Sequence, residues 1–360
     1  MTFSLRSRLP LVLPAVLLIS LSSAIPAACA ADKTRKMQAQ QDAEFVNFLQ
    51  WREVAAFIDQ MVEQHGFDKQ QLQSILRQTR YVDSAIQLVK PAPPGKPKNW
   101  NAYRNRFVDP IRIDAGVAFW NTYADALTRA ESQYGVPAEI IVAILGVETV
   151  YGRNTGNFRV IDAITTLAFA YPDTPNRDAR MTYFRGELEN TLLFARDANI
   201  DPFSLLGSYA GAIGLPQFMP GSIRRYAVDF DGNGKIDLRN SPVDAIGSVA
   251  HFLVEHGWQR GEPIAFPADV DDSGRWQRFI GQGLEAKFTL DELQAAGVTP
   301  AVAAPADMRY GLVDLQNGAD PTDYWLGAAN FYAITQYNRS FFYAMSVNDL
   351  SRALRTARSY

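Results

Sequence analysis

One carboxylate in this chain stands where a carboxylate is costly. Glu148 closes the run Ala138–Glu148, in which Ile140, Ile141, Val142, Ile144, Leu145 and Val147 surround a helix instead of lining one stripe. A helix apolar on all sides is a buried one. Pro137 suits its first helical position, and Gly152 follows its predicted end. Glu148 therefore falls in the last turn of a core helix. Desolvation and the negative end of the helix dipole both disfavour its ionised form there. A carboxyl that keeps its proton near neutral pH at the edge of a cleft is the chemistry of a general acid. The competing reading is an exposed Glu at a helix end, paired with Arg153 five residues on.

A second constellation is Asp229-Phe-Asp231-Gly-Asn233-Gly234-Lys235-Ile236-Asp237. It matches the first half of an EF-hand loop. Oxygen ligands stand at positions 1, 3 and 5, Gly at 6, a backbone carbonyl from Lys235 at 7 and Ile at 8. Position 12 is Asn240 rather than Glu, so the closing carboxylate is expected from Asp244 on the following helix. Ca²⁺ is the predicted ion and its role structural. An ion-free, Asx-rich surface turn fits the same residues.

The elements that must position these groups read mostly as helix from Ala31 to Gly257. Helical spacing covers Glu44–Gln64, and Asp68 is the expected N-cap of a helix through Arg80. Pro91–Pro97 breaks the pattern as a linker or wrap. Further helices are predicted over Asp114–Gly135, Ile161–Ala170, Arg180–Ala198 and Pro242–His256, with Gly-rich turns between Pro202 and Met219. Glu262–Asp323 has the punctuation of short strands, at Pro263–Phe266, Lys287–Leu290 and Tyr310–Leu315. Phe331–Tyr337 alternates as a strand would, and Ser340–Ala357 closes as a helix. The expected class is mainly α with an α+β character.

The composition is that of a globular protein, 47% hydrophobic and 20% charged over 360 residues. A net charge of −3 carries no footprint of nucleic-acid binding. Fifteen Tyr and six Trp provide faces on which sugars stack, though core side chains stack there equally. Arg6 and Arg8, the apolar Leu11–Leu21 and Ala28-Cys29-Ala30 form a secretory leader, residues 1–30. Residues 31–42 read as a disordered tether. Cys29 is the only cysteine. Cleavage after Ala30 removes it; cleavage before it leaves an N-terminal cysteine for lipidation.

Four segments together resemble the membrane-bound lytic murein transglycosylase B family: Ile144–Gly152, Gly211–Pro220, the Asp229 loop and Tyr337-Asn338. The resemblance runs from about Glu44 to Leu354 in the family's order. It implies a lysozyme-like core over 136–261 flanked by a helical lobe (43–135), a small antiparallel β lobe (262–330) and a C-terminal segment (331–360) that completes the groove. It implies peptidoglycan glycan strands as partner and substrate, a periplasmic setting, a monomer and structural Ca²⁺. Glu148 matches the single catalytic glutamate, first acid and then base, leaving a 1,6-anhydro product without water. Ser208, Gln217, Tyr337, Asn338 and Tyr343 match positions lining the glycan groove. Arg180 matches an arginine facing glycan or peptide. Phe252 stands where a tyrosine is familiar. A hydrolytic muramidase and a non-catalytic glycan-binding protein are the alternatives.

Overall fold

The computed structural model describes residues 43–44, 47–91, 95 and 97–359. The leader, the tether and Cys29 lie outside the described residues, as do Ala92–Pro94 and Lys96 of the linker. The described residues form fourteen α-helices, a five-stranded antiparallel sheet and two short ribbons.

The first helices are α1 (Arg52–His65), α2 (Lys69–Gln78) and α3 (Asp83–Val89). Asp68 caps α2, its side chain accepting from Gln71 N, as the sequence predicts. The predicted helix from Glu44 begins later. Asn47 instead caps a 3₁₀ turn over Phe48–Gln50, and Trp51 is extended before α1. The segment α4 (Trp100–Arg104), α5 (Pro110–Thr122) and α6 (Ala124–Tyr134) follows. What reads as one helix over Asp114–Gly135 is two. Asp109 and Pro110 start α5 early, and Tyr123 breaks the run, its ring 4.7 Å from Phe119.

The central element is α7 (Ala138–Thr149). Every residue in it is buried except Glu148, which is only partly open. Helices α5, α6, α11 (Pro242–Glu255) and α14 (Phe341–Arg358) pack around it. This is why its apolar residues face every direction. Pro137 is the N-cap of α7 rather than its first turn, with extended ψ 141°. The remaining helices are α8 (Val160–Ala170), α9 (Arg177–Asp197), α10 (Pro220–Tyr226), α12 (Leu290–Ala295) and α13 (Ala329–Thr335).

The sheet strands are Ala265–Val270, Phe288–Thr289, Val298–Pro300, Arg309–Asn317 and Asp320–Gly327. The two long ones pair antiparallel, with Leu312 opposite Leu326. They cover a small core of their own, built on Phe279, Leu293, Val298 and Tyr310. The strand expected at Phe331–Tyr337 is instead helix α13. Residues 330–335 are all buried, so its alternation reports no solvent face, and length alone could not decide between helix and strand.

The end of α7 is unusual. Val150 and Tyr151 both have positive φ, 52° and 58°, a conformation costing roughly 1–2 kcal/mol per L-residue. The turn drives the Tyr151 ring between Gly116 of α5 and Gly146 of α7, where its hydroxyl donates to Arg112 O at 3.1 Å. A Cβ on Gly146 would lie 2.5 Å from that hydroxyl. Gly146→Ala should therefore expel the ring and cost about 1–3 kcal/mol. Urea unfolding of the variant checks this; wild-type stability would refute the packing account.

Candidate active site

Glu148 lies in the last turn of α7 and is partly exposed. Burial pushes its carboxyl up to about 7, and a hydrogen bond from Tyr343 pulls in the opposite direction. The Tyr343 hydroxyl donates to Glu148 Oε1 at 2.6 Å. Tyr343 is in the first turn of α14, whose N-cap Ser340 accepts from Tyr343 N. The antiparallel packing of α14 on α7 thus brings a phenol from late in the chain onto the acid. Burial holds the Tyr343 phenol far above its usual range, so it remains a donor.

Tyr337 stacks on Tyr343, with ring centroids 6.3 Å apart and planes 14° off parallel. Its hydroxyl donates to Pro216 O at 2.7 Å. That bond fastens the Gly211–Pro220 turn, as do two others. Thr149 Oγ1 donates to Leu215 O at 2.9 Å, and Leu215 N donates to Leu238 O at 2.8 Å. Gln217 is thereby held at φ 52°, a left-handed conformation for a non-glycine residue. Its Nε2 donates to Thr155 O and Gly214 O at 3.2 and 2.9 Å. The amide oxygen keeps its acceptor capacity.

Ser208 Oγ accepts from Ala210 N and Ala212 N at 3.3 and 3.0 Å, so the hydroxyl shapes its own loop and retains a proton to donate. Asn338 is exposed beside Tyr337. Arg180 is set apart. Its guanidinium lies over the rings of Tyr171, Tyr183 and Phe184 at 5.8, 5.2 and 5.2 Å.

Four carboxylates besides Glu148 are buried among the described residues, and each is engaged elsewhere. Glu139 pairs with Arg355, and Asp162 with Arg159. Glu187 accepts from Gly221 N. Asp244 accepts from Phe230 N, Asp231 N and Asp237 N at 2.9, 3.1 and 2.9 Å. No second carboxyl contributes to the shift of Glu148.

Asp244 in turn closes the acidic loop. Carboxylate oxygens of Asp229, Asp231 and Asp244 all lie within 4.8 Å of one another. Asp229 accepts from the backbone N–H of Gly232, Asn233 and Gly234, and Asn233 Oδ1 from Lys235 N. No Lys or Arg pairs with the three acids among the described residues. Converging anions without a cation suit a hard divalent ion.

Residues 49–352 match the transglycosylase SLT domain family. The chain belongs to that family. It is 47% identical over 311 residues to membrane-bound lytic murein transglycosylase B of Escherichia coli strain K12, 84% of this chain and 82% of that one. The crystal structure of soluble lytic transglycosylase SltB1 from Pseudomonas aeruginosa superposes with a TM-score of 0.77 at 44% identity, covering 86% of this chain and all of that one. Escherichia coli Slt35, solved in complex with calcium, gives 0.77 at 44% identity over 88% and 97%.

Two groups at this site escaped the sequence reading. Tyr103, from α4, lies within electrostatic reach of Glu148; its aromatic neighbours Trp100 and Phe107 were the available signal. Thr149, fully buried, joins the end of α7 to the Gln217 turn, and a hydroxyl in an apolar run was its only mark.

The raised carboxyl has a consequence for stability. Between about 4.5 and about 7 the unfolded chain ionises Glu148 while the folded one does not. Stability therefore falls across that window, by roughly 3 kcal/mol in full. Glu148→Gln removes the cost, so it should raise the melting temperature at pH 8 and leave it nearly unchanged at pH 4. Equal shifts at both pH values would contradict a buried, neutral Glu148.

Proposed function

We propose that this chain cleaves the β-1,4 bond between N-acetylmuramic acid and N-acetylglucosamine in peptidoglycan as a lytic transglycosylase, with Glu148 as its one acid and base. The observation that carries the reading is a carboxyl near pKa 7 that has, among the described residues, a single hydrogen-bonding partner, Tyr343, and no second carboxylate contributing to its shift. Hydrolases of this kind typically use two carboxylates, roughly 5 or 6.5–9.5 Å apart.

The residues divide the work as follows. Protonated Glu148 gives its proton to the leaving glycosidic oxygen. As a carboxylate it then takes the proton of the muramoyl C6 hydroxyl while that oxygen attacks C1, and the 1,6-anhydro ring forms. A pKa near the working pH suits a group that must give and then take the same proton. The Tyr343 donor stabilises the carboxylate between those steps, limiting how far burial raises the pKa. Tyr337 presents its oxygen lone pairs towards an oxocarbenium-like centre while its proton is bound to Pro216 O. The Gln217 amide oxygen and the Ser208 hydroxyl offer one acceptor and one donor to sugar hydroxyls and N-acetyl groups. Asn338 extends that set, and Arg180 braces the Tyr183 wall.

Two measurements test this. Glu148→Gln should lower turnover of purified sacculi by about 10²–10⁴-fold. Wild-type kcat/KM should fall about tenfold per unit as pH rises above about 7. Products lighter by one water than hydrolytic muropeptides identify the anhydro ring. Reducing-end products would make the protein a muramidase, and undiminished turnover by Glu148→Gln would exclude the mechanism.

The acidic loop binds Ca²⁺ in this reading, through Asp229, Asp231, Asn233, the Lys235 carbonyl and Asp244. The convergence of three unpaired carboxylates supports it. The ion is structural: it neutralises the cluster and ties the loop to α11. Millimolar Ca²⁺ should raise the melting temperature of the wild type and leave Asp231→Ala unmoved; an unmoved wild type would count against the site. The leader pattern of Arg6–Ala30 assigns the protein to the periplasm. Lipidation of Cys29 would hold it at the outer membrane; cleavage after Ala30 would release it.

A further inference from the structure

The turn that carries Gln217 is held by its main chain, carbonyl by carbonyl. Gly214 O accepts from Gln217 N and Gln217 Nε2 at 3.2 and 2.9 Å. Leu215 O accepts from Thr149 Oγ1 at 2.9 Å, and Pro216 O from the Tyr337 hydroxyl at 2.7 Å. Three successive carbonyls thus go to three partners, one within the turn and two from outside it. Of the outside pair, Tyr337 already has a part in the groove. Thr149 is wholly buried and has none in the chemistry above.

The Thr149 hydroxyl is aimed away from its own helix. A threonine in a helix ordinarily returns its proton to the carbonyl four residues back. That group is Leu145 O, 3.3 Å away against 2.9 Å for Leu215 O. One proton serves one acceptor at a time, and the shorter contact takes it. The same oxygen accepts from Gly152 N at 2.9 Å. One hydroxyl therefore joins the last residue of α7, the loop after it and Leu215. The fit there is close: a Cβ on Gly152 would meet Leu215 Cγ at 3.2 Å, and one on Gly214 would lie 2.2 Å from Leu238 O. Without the hydroxyl, Leu215 O is a buried acceptor left unpaired, which is costly. The turn relieves that cost by moving, and Gln217, at φ 52°, is where it has strain to release.

We propose that Thr149 is a positioning residue for glycan binding: its hydroxyl fixes Leu215 O and so sets where the Gln217 amide meets the sugar. It acts on the turn, and leaves the proton affinity of Glu148 to burial and Tyr343. The proposal rests on the glycan substrate inferred above and adds to it a residue that touches neither the sugar nor the acid's proton.

The test replaces the hydroxyl by a methyl of similar size. Thr149→Val should raise KM on soluble glycan strands about tenfold, the effect of losing one hydrogen bond, with a smaller change in kcat. The alkaline limb of kcat/KM should stay at about 7. Thr149→Ser keeps the hydroxyl and should restore most of the KM. In a Glu148→Gln background, calorimetry should show Kd for the same strands weakened by the same factor, and Thr149→Val should add little to Gln217→Ala. A role in packing alone would lower the melting temperature and leave KM and Kd in place. That result overturns the proposal, as does a displaced alkaline limb or full additivity with Gln217→Ala. Wild-type turnover that yields no anhydro products overturns the proposed function instead, and the Kd comparison still decides the role of Thr149. If Thr149→Val fails to fold, Thr149→Cys, a weaker donor, takes its place. A weakened Kd then supports the proposal and an unchanged one overturns it.

Discussion

The hydrogen bond from Tyr343 to Glu148 holds the site in balance. Burial pushes the carboxyl up and the phenol's hydrogen bond draws it back, leaving it at about 7, where a proton can leave and return. That bond exists because α14 crosses α7 with its first turn at the last turn of α7. At the opposite ends of the same two helices, Arg355 pairs with Glu139. The two helices are therefore pinned at both ends, and the acid inherits their register.

Strain is concentrated where the fold hands over to the site. Val150, Tyr151 and Gln217 adopt left-handed backbone that non-glycine residues avoid. Two of them are held by specific side-chain partners: the Tyr151 ring between two glycines, and the Gln217 amide between Thr155 and Gly214 carbonyls. Thr149, adjacent to the acid, grips the same turn that carries Gln217. Glu148 and the Gln217 turn are thus joined through a single buried hydroxyl.

Much of this was legible in the sequence, for identifiable reasons. The apolar surround of Glu148 predicted a buried helix because burial on all sides leaves no polar stripe, and α7 is such a helix. Asp68 and Ser340 announce helix starts because their side chains reach backbone N–H groups a turn ahead, whereas Asp109 caps α5 in the same way but ahead of the start predicted at Asp114. Phe331–Tyr337 misled because total burial erases the periodicity that separates helix from strand. Strand Asp320–Gly327 escaped because its hairpin partner, not its own residues, makes it a strand. The Tyr343 contact, 195 positions from Glu148, is tertiary; only the family resemblance singled the residue out. Tyr103 and Thr149 lacked even that.

The acidic loop carries one more implication. Asp244 is wholly buried, and its two oxygens already receive three main-chain N–H groups of the loop. Those donors give the ring its outline whether or not an ion is present. A cation entering there meets a vessel already cast, so it rivets the shape more than it creates it. Exchanging Asp231 alone would thin the cluster while leaving Asp244, and the main-chain donors it gathers, in place.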